Sequence, residues 1–198
     1  MSDSRQRLIV AVSGASGSLL GLRLLQLLNQ AEGWETHLVL SSAAVLTAKL
    51  ELNESRETFE ALATQVHSNK DIGASIASGS FRTAGMVVIP CSMNTLSGIA
   101  NGASSNLITR AADVTLKERR RLVLVTREAP LNLIHLRNMT LATEAGAIIM
   151  PPVPSFYLGP CSLDDAVTQM AGRVLDQFNI DVHGMKRWEG TAQEGGKL

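Results

Sequence analysis

The chain has 198 residues, of which 45% are hydrophobic, and this is enough for one domain with a sizeable core. Its 18 basic and 18 acidic residues give a formal net charge of zero, so no global field favours binding to nucleic acid or to a membrane. Any site for an anion must therefore be built locally by a few side chains.

The amino terminus and the cysteines indicate the compartment. The first residues, MSDSRQ, are polar, and the apolar run 8–12 is too short for the core of a signal peptide or for a membrane span. Cys91 and Cys161 lie far apart in the sequence and suit a reducing environment better than a disulfide framework. These features predict a cytoplasmic globular protein.

Five short apolar runs predict five strands, at residues 8–12, 37–40, 86–89, 122–125 and 147–150. Their β-rich composition without polar alternation is typical of strands that are covered on both faces. Helical segments between the runs imply right-handed crossovers and a parallel sheet. The sequence thus predicts a single doubly wound α/β domain, Rossmann-like or flavodoxin-like, over residues 1–188, followed by a flexible tail at 189–198.

The first and last helices are the most clearly marked. Residues 19–28 place leucines along one side of a helix. In the last helix, Ser162 and Asp165 have capping-box spacing. One face of that helix carries the apolar residues Leu163, Val167, Met170, Val174 and Phe178. Residues 53–84 show no clear pattern.

Glycines and small polar residues follow the first three predicted strands, and doubly wound sheets bind ligands at the carboxyl ends of their strands. The stretch SGASG, at 13–17, lets backbone amides approach a ligand or simply forms a tight turn. Ser41 and Ser42 stand where a dinucleotide site would have an acid for the ribose, which argues against NAD. In PCSMNTLSG, Ser92 and Thr95 either bind an anion or a flavin edge, or cap the next helix.

Charged and aromatic residues follow the last two predicted strands. The pair Arg127-Glu128, in TREAP, is either a surface ion pair or part of a strand-end site. The charged run 117–121 upstream would usually be a solvated helix end. In MPPVPSFY, three prolines stiffen a loop with Phe156 and Tyr157, which either pack in the protein or face an apolar or flat ligand that carries a phosphate.

Six stretches, spread in order over nearly the whole chain, resemble the flavin prenyltransferases, the FMN-binding UbiX-like family. They are SGASG, PCSMNTLSG, TRAADVTLKERR, LVTREAPL, HLRNM and MPPVPSFY. The resemblance implies transfer of a dimethylallyl group from dimethylallyl monophosphate to N5 and C6 of reduced FMN, without a metal. It also implies that the prenylated FMN serves a UbiD-type decarboxylase, as in ubiquinone biosynthesis. The family enzymes are homo-oligomers, typically dodecamers, with sites between subunits.

The resemblance also assigns the site residues. Three take part in the chemistry: Ser16 near flavin N5, Glu51 near the reacting edge, and Glu128 as a proton-handling group. The FMN-binding positions are Gly14, Ala15, Ser16, Ser41, Ser92, Met93, Asn94, Thr95 and Arg127. The positions that bind the donor phosphate are Lys117, Arg127, Tyr157 and Arg173, and their cations take the place of a metal.

The sequence itself has no motif for a metal or for a cysteine nucleophile. The four histidines lack metal-ligand spacing. The adjacent acids Asp164 and Asp165 are better explained as a helix start than as a magnesium-binding DDxxD motif. Cys91 has no recognisable His or Asp partner and is predicted to lie in the core.

Three positions depart from the family pattern, and two other functions stay open. Leu20 stands where the family often has an aromatic residue, Asn94 where it often has lysine, and Arg121 where it often has proline. An FMN-dependent cysteine decarboxylase would have the same fold and FMN site, but its early catalytic histidine and PxMNxxMW motif are not evident here. A non-catalytic flavin carrier is a second alternative, although storage of a flavin needs no pocket for a donor phosphate.

Overall fold

A computed structural model describes residues 5–188 and 190. In this part of the chain, the strands are β1 (Gln6–Val12), β2 (Trp34–Leu40), β3 (Gln65–Ser68), β4 (Gly85–Cys91), β5 (Arg121–Thr126) and β6 (Ala147–Ile149). The helices are α1 (Ser18–Asn29), α2 (Ser42–Leu52), α3 (Arg56–Glu60), α4 (Met93–Ala100), α5 (Leu107–Lys117), α6 (Leu133–Glu144) and α7 (Leu163–Asp176). Short 3-10 helices lie at Ser75–Ala77 and Phe156–Leu158. None of these described helices is long and apolar enough to cross a membrane.

The strands form one parallel sheet in the order β3-β2-β1-β4-β5-β6. In this doubly wound order the direction of winding reverses between β1 and β4. The five predicted strands coincide with β1, β2, β4, β5 and β6. The predicted doubly wound α/β fold is therefore confirmed. The predicted tail at 189–198 lies, except for residue 190, outside the described residues.

Alternate residues of β1 face opposite sides of the sheet and so divide the core into two layers. Leu8, Val10 and Val12 pack with α1, α2 and α7. Ile9 and Ala11 pack with α4, α5 and α6. All five side chains are buried. The unbroken apolar run in the sequence is thus explained by helices that cover both faces.

Strand β3 lies in the region 53–84, where the sequence predicted no element. It sits at the edge of the sheet and pairs only with β2. Its sequence, QVHS, is mostly polar. His67 of β3 stacks on His37 of β2 with ring centroids 5.2 Å apart. A short edge strand with mostly polar side chains leaves no apolar run in the sequence, which is why the pattern missed it.

Helix α7 begins where the sequence predicted. Ser162 Oγ accepts a hydrogen bond from the N–H of Asp165 at 3.0 Å, whereas the Asp165 carboxylate accepts from the N–H of Cys161. On the predicted apolar face of this helix, Val174 is buried, whereas Leu163 is 72% exposed. The first two turns of α7 are joined to helix α1 by polar contacts of Asp164 and Thr168 with Arg23.

Gly21 marks a close approach of α1 to β4. A Cβ atom at this position would lie 2.7 Å from the carbonyl oxygen of Ile89, so the helix or the strand must move. Alanine has a higher helix propensity than glycine, but the clash with the strand costs more than this gain in propensity. We therefore expect Gly21→Ala to lower the free energy of unfolding by about 1–2 kcal/mol. Gly73→Ala is the control, because its Cβ would lie 3.5 Å from Asp71 Oδ1, an ordinary contact. Urea denaturation measures both, and equal stability of the two variants would refute the close packing at Gly21.

Candidate active site

Ser13 joins the carboxyl ends of β1 and β4, where the strand order reverses. Its side chain is buried. Ser13 Oγ donates a hydrogen bond to the Pro90 carbonyl oxygen at 2.9 Å and accepts one from the N–H of Ser92 at 2.8 Å. These two bonds hold the loop 14–16 beside the turn that begins at Ser92. Two of the stretches predicted to bind FMN therefore meet at one edge of the sheet.

Two helix N-termini open at the same edge. Ser41 caps α2 by accepting a hydrogen bond from the N–H of Ala44 at 3.0 Å, and its own N–H donates to the Val12 carbonyl oxygen at 3.1 Å. Ser92 caps α4 by accepting from the N–H of Thr95 at 3.3 Å. For Ser92, the alternative of capping the next helix is thus what the structure shows. The partial positive charge of both N-termini also favours an anion here.

The other predicted FMN-binding positions differ in exposure. Ala15 is buried, Met93 is half-buried, and Asn94 is exposed. Gly14 is exposed, and a Cβ atom there would collide with the Cβ of Ala43 in α2. Gly14 therefore allows the loop after β1 to lie against α2.

Glu51 caps helix α1, whose N-cap residue, Gly17, has no side chain to do so. The Glu51 carboxylate accepts hydrogen bonds from the N–H of Gly17 at 3.0 Å and of Ser18 at 2.8 Å. Burial by itself raises the pKa of Glu51, but hydrogen bonds from the Ser16 side chain and from these N–H groups outweigh it, so the pKa lies below its ordinary value. Ser16 and Glu51, both predicted to take part in the chemistry, are therefore neighbours.

This hydrogen bonding predicts a pH-dependent contribution of Glu51 to stability. Because the pKa is lowered by folding, the contribution is present above the ordinary value of 4.5 and is lost as the pH falls through the lower folded value. We expect Glu51→Gln to melt a few degrees below the wild type at neutral pH, and the difference to shrink below pH 4.5. Glu144→Gln, an exposed position at the end of α6, is the control. If the difference in melting temperature between Glu51→Gln and the wild type stayed constant across pH, the charge of Glu51 would not contribute to stability.

Arg127 and Glu128 follow the end of β5, next to the end of β4. The N–H of Arg127 donates to the Cys91 carbonyl oxygen at 3.1 Å. Both side chains are exposed, and the Glu128 carboxylate accepts from the N–H of Ala129 at 3.0 Å. Immediately before them, Thr126 Oγ1 is buried and has no hydrogen-bond partner within the described residues. Buried hydroxyls are rarely unpaired, so Thr126 is a candidate ligand contact that the sequence analysis missed.

An apolar cavity of about 110 Å³ lies beside this edge. Its walls come from the ends of β4, β5 and β6, from the proline-rich loop after β6, and from α1 and α7. The lining residues include Leu20, Ile89, Val125, Met150, Met170 and Arg173. Among the described residues that line the cavity, Arg173 is the one that carries a charge. The cavity therefore matches a ligand with a hydrocarbon body and an anionic end.

Arg173 is held in place by Asp176, one helical turn further along α7. Arg173 Nη1 lies 2.5 Å from Asp176 Oδ2, and Arg187 also donates to this carboxylate. Burial raises the pKa of Asp176, but the hydrogen bonds from Arg187 and Arg173 lower it overall. The i, i+3 spacing of Arg173 and Asp176 was a usable signal in the sequence. Tyr157, in the proline-rich loop, is exposed and contacts the ring of Trp188 edge-on, with centroids 5.4 Å apart.

Within one chain, Lys117 lies far from the other residues that are predicted to bind the donor phosphate. It is the last residue of α5 and lies at the amino edge of the sheet, whereas Arg127 follows the carboxyl end of β5. Strand β5 alone spans roughly 20 Å. Lys117 Nζ is 2.5 Å from Glu118 Oε1. The role of Lys117 stays a prediction, and it requires that a second copy of the chain supply this residue.

Cys91 is unsuited to nucleophilic catalysis. Complete burial raises the pKa of its thiol to about 12, so the thiol is protonated at neutral pH. Cys91 and Cys161 are both free, as predicted. In the described part of the chain, no cluster of three or more His, Cys, Asp or Glu side chains is arranged to hold a metal ion.

Comparison with known proteins identifies the family. The Flavoprotein family model matches residues 1–173. The chain is 56% identical over 188 residues to flavin prenyltransferase UbiX of Escherichia coli (strain K12), which covers 94% of this chain and 100% of that protein. The chain belongs to the UbiX-like flavin prenyltransferases. Another family member, flavin prenyltransferase UbiX of Thauera aromatica, is 53% identical over 187 residues, which is 94% of this chain and 96% of that protein.

Two solved structures of UbiX and UbiX-like proteins have the same fold. AnUbiX (PadA1), in complex with FMN and dimethylallyl pyrophosphate, is 50% identical with a TM-score of 0.91, over 94% of this chain and 98% of that chain. A dodecameric FMN-dependent UbiX-like decarboxylase from Escherichia coli O157:H7 is 49% identical, also with a TM-score of 0.91, over 93% and 100%. The resemblance stated from the sequence is therefore confirmed.

The cysteine decarboxylase alternative is supported by the fold alone. The FMN-dependent cysteine decarboxylase TvaF is 18% identical with a TM-score of 0.60, over 74% of this chain and 90% of that chain. Since UbiX-like flavin prenyltransferases are far more similar over nearly the whole chain, we assign this protein to them and to prenyl transfer.

Proposed function

We propose that this flavin prenyltransferase joins the dimethylallyl group of dimethylallyl monophosphate to N5 and C6 of reduced FMN. The observation that carries the proposal is the apolar cavity with Arg173 in its wall, next to the edge where the predicted FMN-binding loops meet. A short hydrocarbon chain with a phosphate fits the cavity, and a flat phosphate-bearing cofactor fits the strand ends beside it.

The groups at the strand ends are suited to FMN, which supplies the ring atoms that accept the prenyl group. The residues that would hold it are Gly14, Ala15, Ser16, Ser41, Ser92, Met93, Asn94, Thr95 and Arg127. The N-termini of α2 and α4 favour its phosphate, and the unpaired hydroxyl of Thr126 at the same edge needs a partner. Serines after β2, in place of an acid, disfavour a dinucleotide.

The donor phosphate is assigned to Arg127, Arg173 and Tyr157 of one chain and to Lys117 of a second copy. When the donor C–O bond breaks, negative charge accumulates on the departing phosphate. Guanidinium and ammonium groups stabilise this charge through charge-assisted hydrogen bonds. Arg173 is already oriented for this role by its bond to Asp176.

Three further residues are assigned to the chemistry. Glu128 follows the phosphate-binding Arg127 and handles a proton there. Ser16 lies next to Gly17 and Ser18, whose N–H groups donate to the Glu51 carboxylate, and hydrogen bonding from the Ser16 side chain is one cause of the lowered pKa of Glu51.

The proposal includes an assembly and a partner. Large apolar side chains are exposed on α2 (Leu46, Leu50) and on α6 (Leu133, Ile134), and clustered exposed apolar residues are typical of protein interfaces. We infer a homo-oligomer, a dodecamer as in the UbiX-like relative, formed by single-domain subunits in the cytoplasm. Its product, prenylated FMN, serves a UbiD-type decarboxylase, and neither nucleic acid nor a membrane is a partner.

The test of the proposed function is a mass measurement on the flavin. The purified protein is incubated anaerobically with reduced FMN and dimethylallyl monophosphate, and the released flavin is expected to gain one five-carbon unit. Titration is expected to show binding of FMN but not of NAD. Tight NAD binding without flavin affinity, or an unchanged flavin mass, would overturn the proposal, and a flavin that is merely bound and released unchanged would favour the carrier.

Removal of divalent metals is expected to leave activity unchanged. The reason is that Lys117, Arg127 and Arg173 supply the positive charge that magnesium supplies in other prenyl transfers. The initial rate is measured with EDTA and, as a control, with EDTA plus excess magnesium. Loss of activity with EDTA that magnesium restores would contradict the role of these cations.

A further inference from the structure

Asp176 lies between two arginines, Arg173 of its own helix and Arg187 of the segment that follows α7. Arg187 donates from Nη1 to Asp176 Oδ2 at 2.9 Å and from Nη2 to Asp176 Oδ1 at 2.8 Å. Arg173 reaches the same carboxylate through Nη1, at Oδ2. The Asp176 side chain is 11% exposed, whereas those of Arg173 and Arg187 are 49% and 47% exposed. Two cations therefore share one largely buried anion, and the bond through both carboxylate oxygens is made by Arg187.

The segment that carries Arg187 is fixed to the rest of the protein at several points. Val182 packs against the hydrophobic core. Met185 lies so close to Gly172 of α7 that a Cβ atom at Gly172 would collide with its sulfur. Lys186 Nζ donates to the Leu158 carbonyl oxygen at 3.4 Å. Because this backbone is already anchored, the ion pair of Arg187 costs less conformational entropy than a pair between two loose groups.

The shared carboxylate decides how much of Arg173 is available to a ligand. A guanidinium has five N–H donors in one plane, and the bond to Asp176 uses Nη1. Nε and Nη2 are not engaged by Asp176, and a phosphate binds a guanidinium best through two parallel hydrogen bonds. If Arg187 were removed, both oxygens of Asp176 would be open to Arg173. A bidentate pair of Arg173 with Asp176 would then use donors that the phosphate needs.

Arg187 also changes the charge that a phosphate meets at this place. Burial raises the pKa of Asp176, but the hydrogen bonds from Arg187 and Arg173 lower it overall, so the carboxylate is ionised at neutral pH. Two cations and one anion leave one net positive charge beside the donor phosphate. Without Arg187, the charge of Arg173 would be cancelled by that of Asp176, and the attraction for an anion would be weaker.

We propose that Arg187 is a positioning residue for the donor phosphate: it occupies the Asp176 carboxylate and so keeps the guanidinium of Arg173 available. This inference rests on the proposed function, in which Arg173 binds that phosphate, and it adds a residue that acts through Asp176.

The first test measures kcat/KM for dimethylallyl monophosphate with reduced FMN. Arg187→Gln is expected to lower this value about 10-fold, mainly through a higher KM for the donor, while the FMN affinity measured by fluorescence is unchanged. Asp181→Asn is the matched control. Asp181 Oδ1 also lies near Arg187, 3.8 Å from Nη2, but its side chain is fully exposed. Its kcat/KM is expected to stay within about 2-fold of the wild type.

A double variant separates competition for Arg173 from simple support of the fold. In the Arg187→Gln background, Asp176→Asn removes the charged competitor, and kcat/KM is expected to rise at least about 3-fold over Arg187→Gln alone. A merely structural role predicts the opposite, because the second substitution removes one more contact. If Arg187→Gln uses the donor as well as the wild type, or if the double variant is no better than Arg187→Gln, Arg187 does not keep Arg173 available. If the wild type itself forms no product, the proposed function fails and this inference fails with it.

Discussion

Glu128→Gln is expected to lower turnover by roughly 100-fold or more and to leave FMN binding unchanged. Glutamine keeps the shape and the hydrogen bonding of the side chain but cannot carry a proton. The Glu128 side chain is exposed, and among the described residues it accepts a hydrogen bond only from the adjacent N–H of Ala129, so the substitution removes no long-range contact within this part of the chain. The expected loss is therefore one of chemistry and not of folding.

The physical reason is the proton balance of the proposed reaction. Cleavage of the donor C–O bond leaves negative charge on the phosphate, and bond formation at C6 of the flavin releases a ring proton. Glu128 directly follows Arg127, a proposed ligand of that phosphate, and its carboxyl group can relay a proton to the phosphate. Product formation in a single turnover and FMN titration are the two measurements, with Glu144→Gln as the control. If Glu128→Gln forms product at the wild-type rate, Glu128 merely positions Arg127.

The central sheet could be predicted from sequence because its strands are covered on both faces. Such strands need continuous apolar runs, and β1, β4 and β5 each have one. Strand β3 escaped prediction because it lies at the edge of the sheet and its side chains are mostly polar. Burial on both faces is thus the property that a sequence pattern reports most directly.

Part of the site could be predicted for a topological reason. Parallel strands bring all their carboxyl ends to one edge, so Ser41, Ser92 and Arg127 lie along the same edge although they are far apart in sequence. The contacts that shape the site could not be predicted in this way. Glu51 reaches the N-terminus of α1 from the end of α2, and the cavity arises from the packing of α1 against α7. These contacts depend on helix placement, which local pattern does not encode.

Lys117→Met and Arg173→Met are each expected to lower kcat/KM for the donor by about 2 kcal/mol, which is roughly 30-fold. Each substitution removes a cation that is proposed to bind the donor phosphate. The two residues differ in place, since Arg173 lines the cavity and Lys117 lies at the opposite edge of the sheet. Melting temperatures close to that of the wild type serve as the control for folding.

Because Lys117 and Arg173 lie at opposite edges of the sheet, assemblies that contain both variants can test whether the two residues of one site come from different subunits. If each site takes Arg173 from one subunit and Lys117 from its neighbour, an assembly that contains both variants has some sites in which both residues are intact. With random co-assembly of equal amounts, roughly a quarter of the sites are intact, and the activity is expected to recover to about that fraction of the wild type. The two variants carry different affinity tags, are co-expressed, and are purified through both tags, and each variant alone is the control. A mixed assembly that is no more active than the single variants would show that Lys117 does not complete the site of a neighbouring subunit, because activity is restored only when the two residues come from different chains.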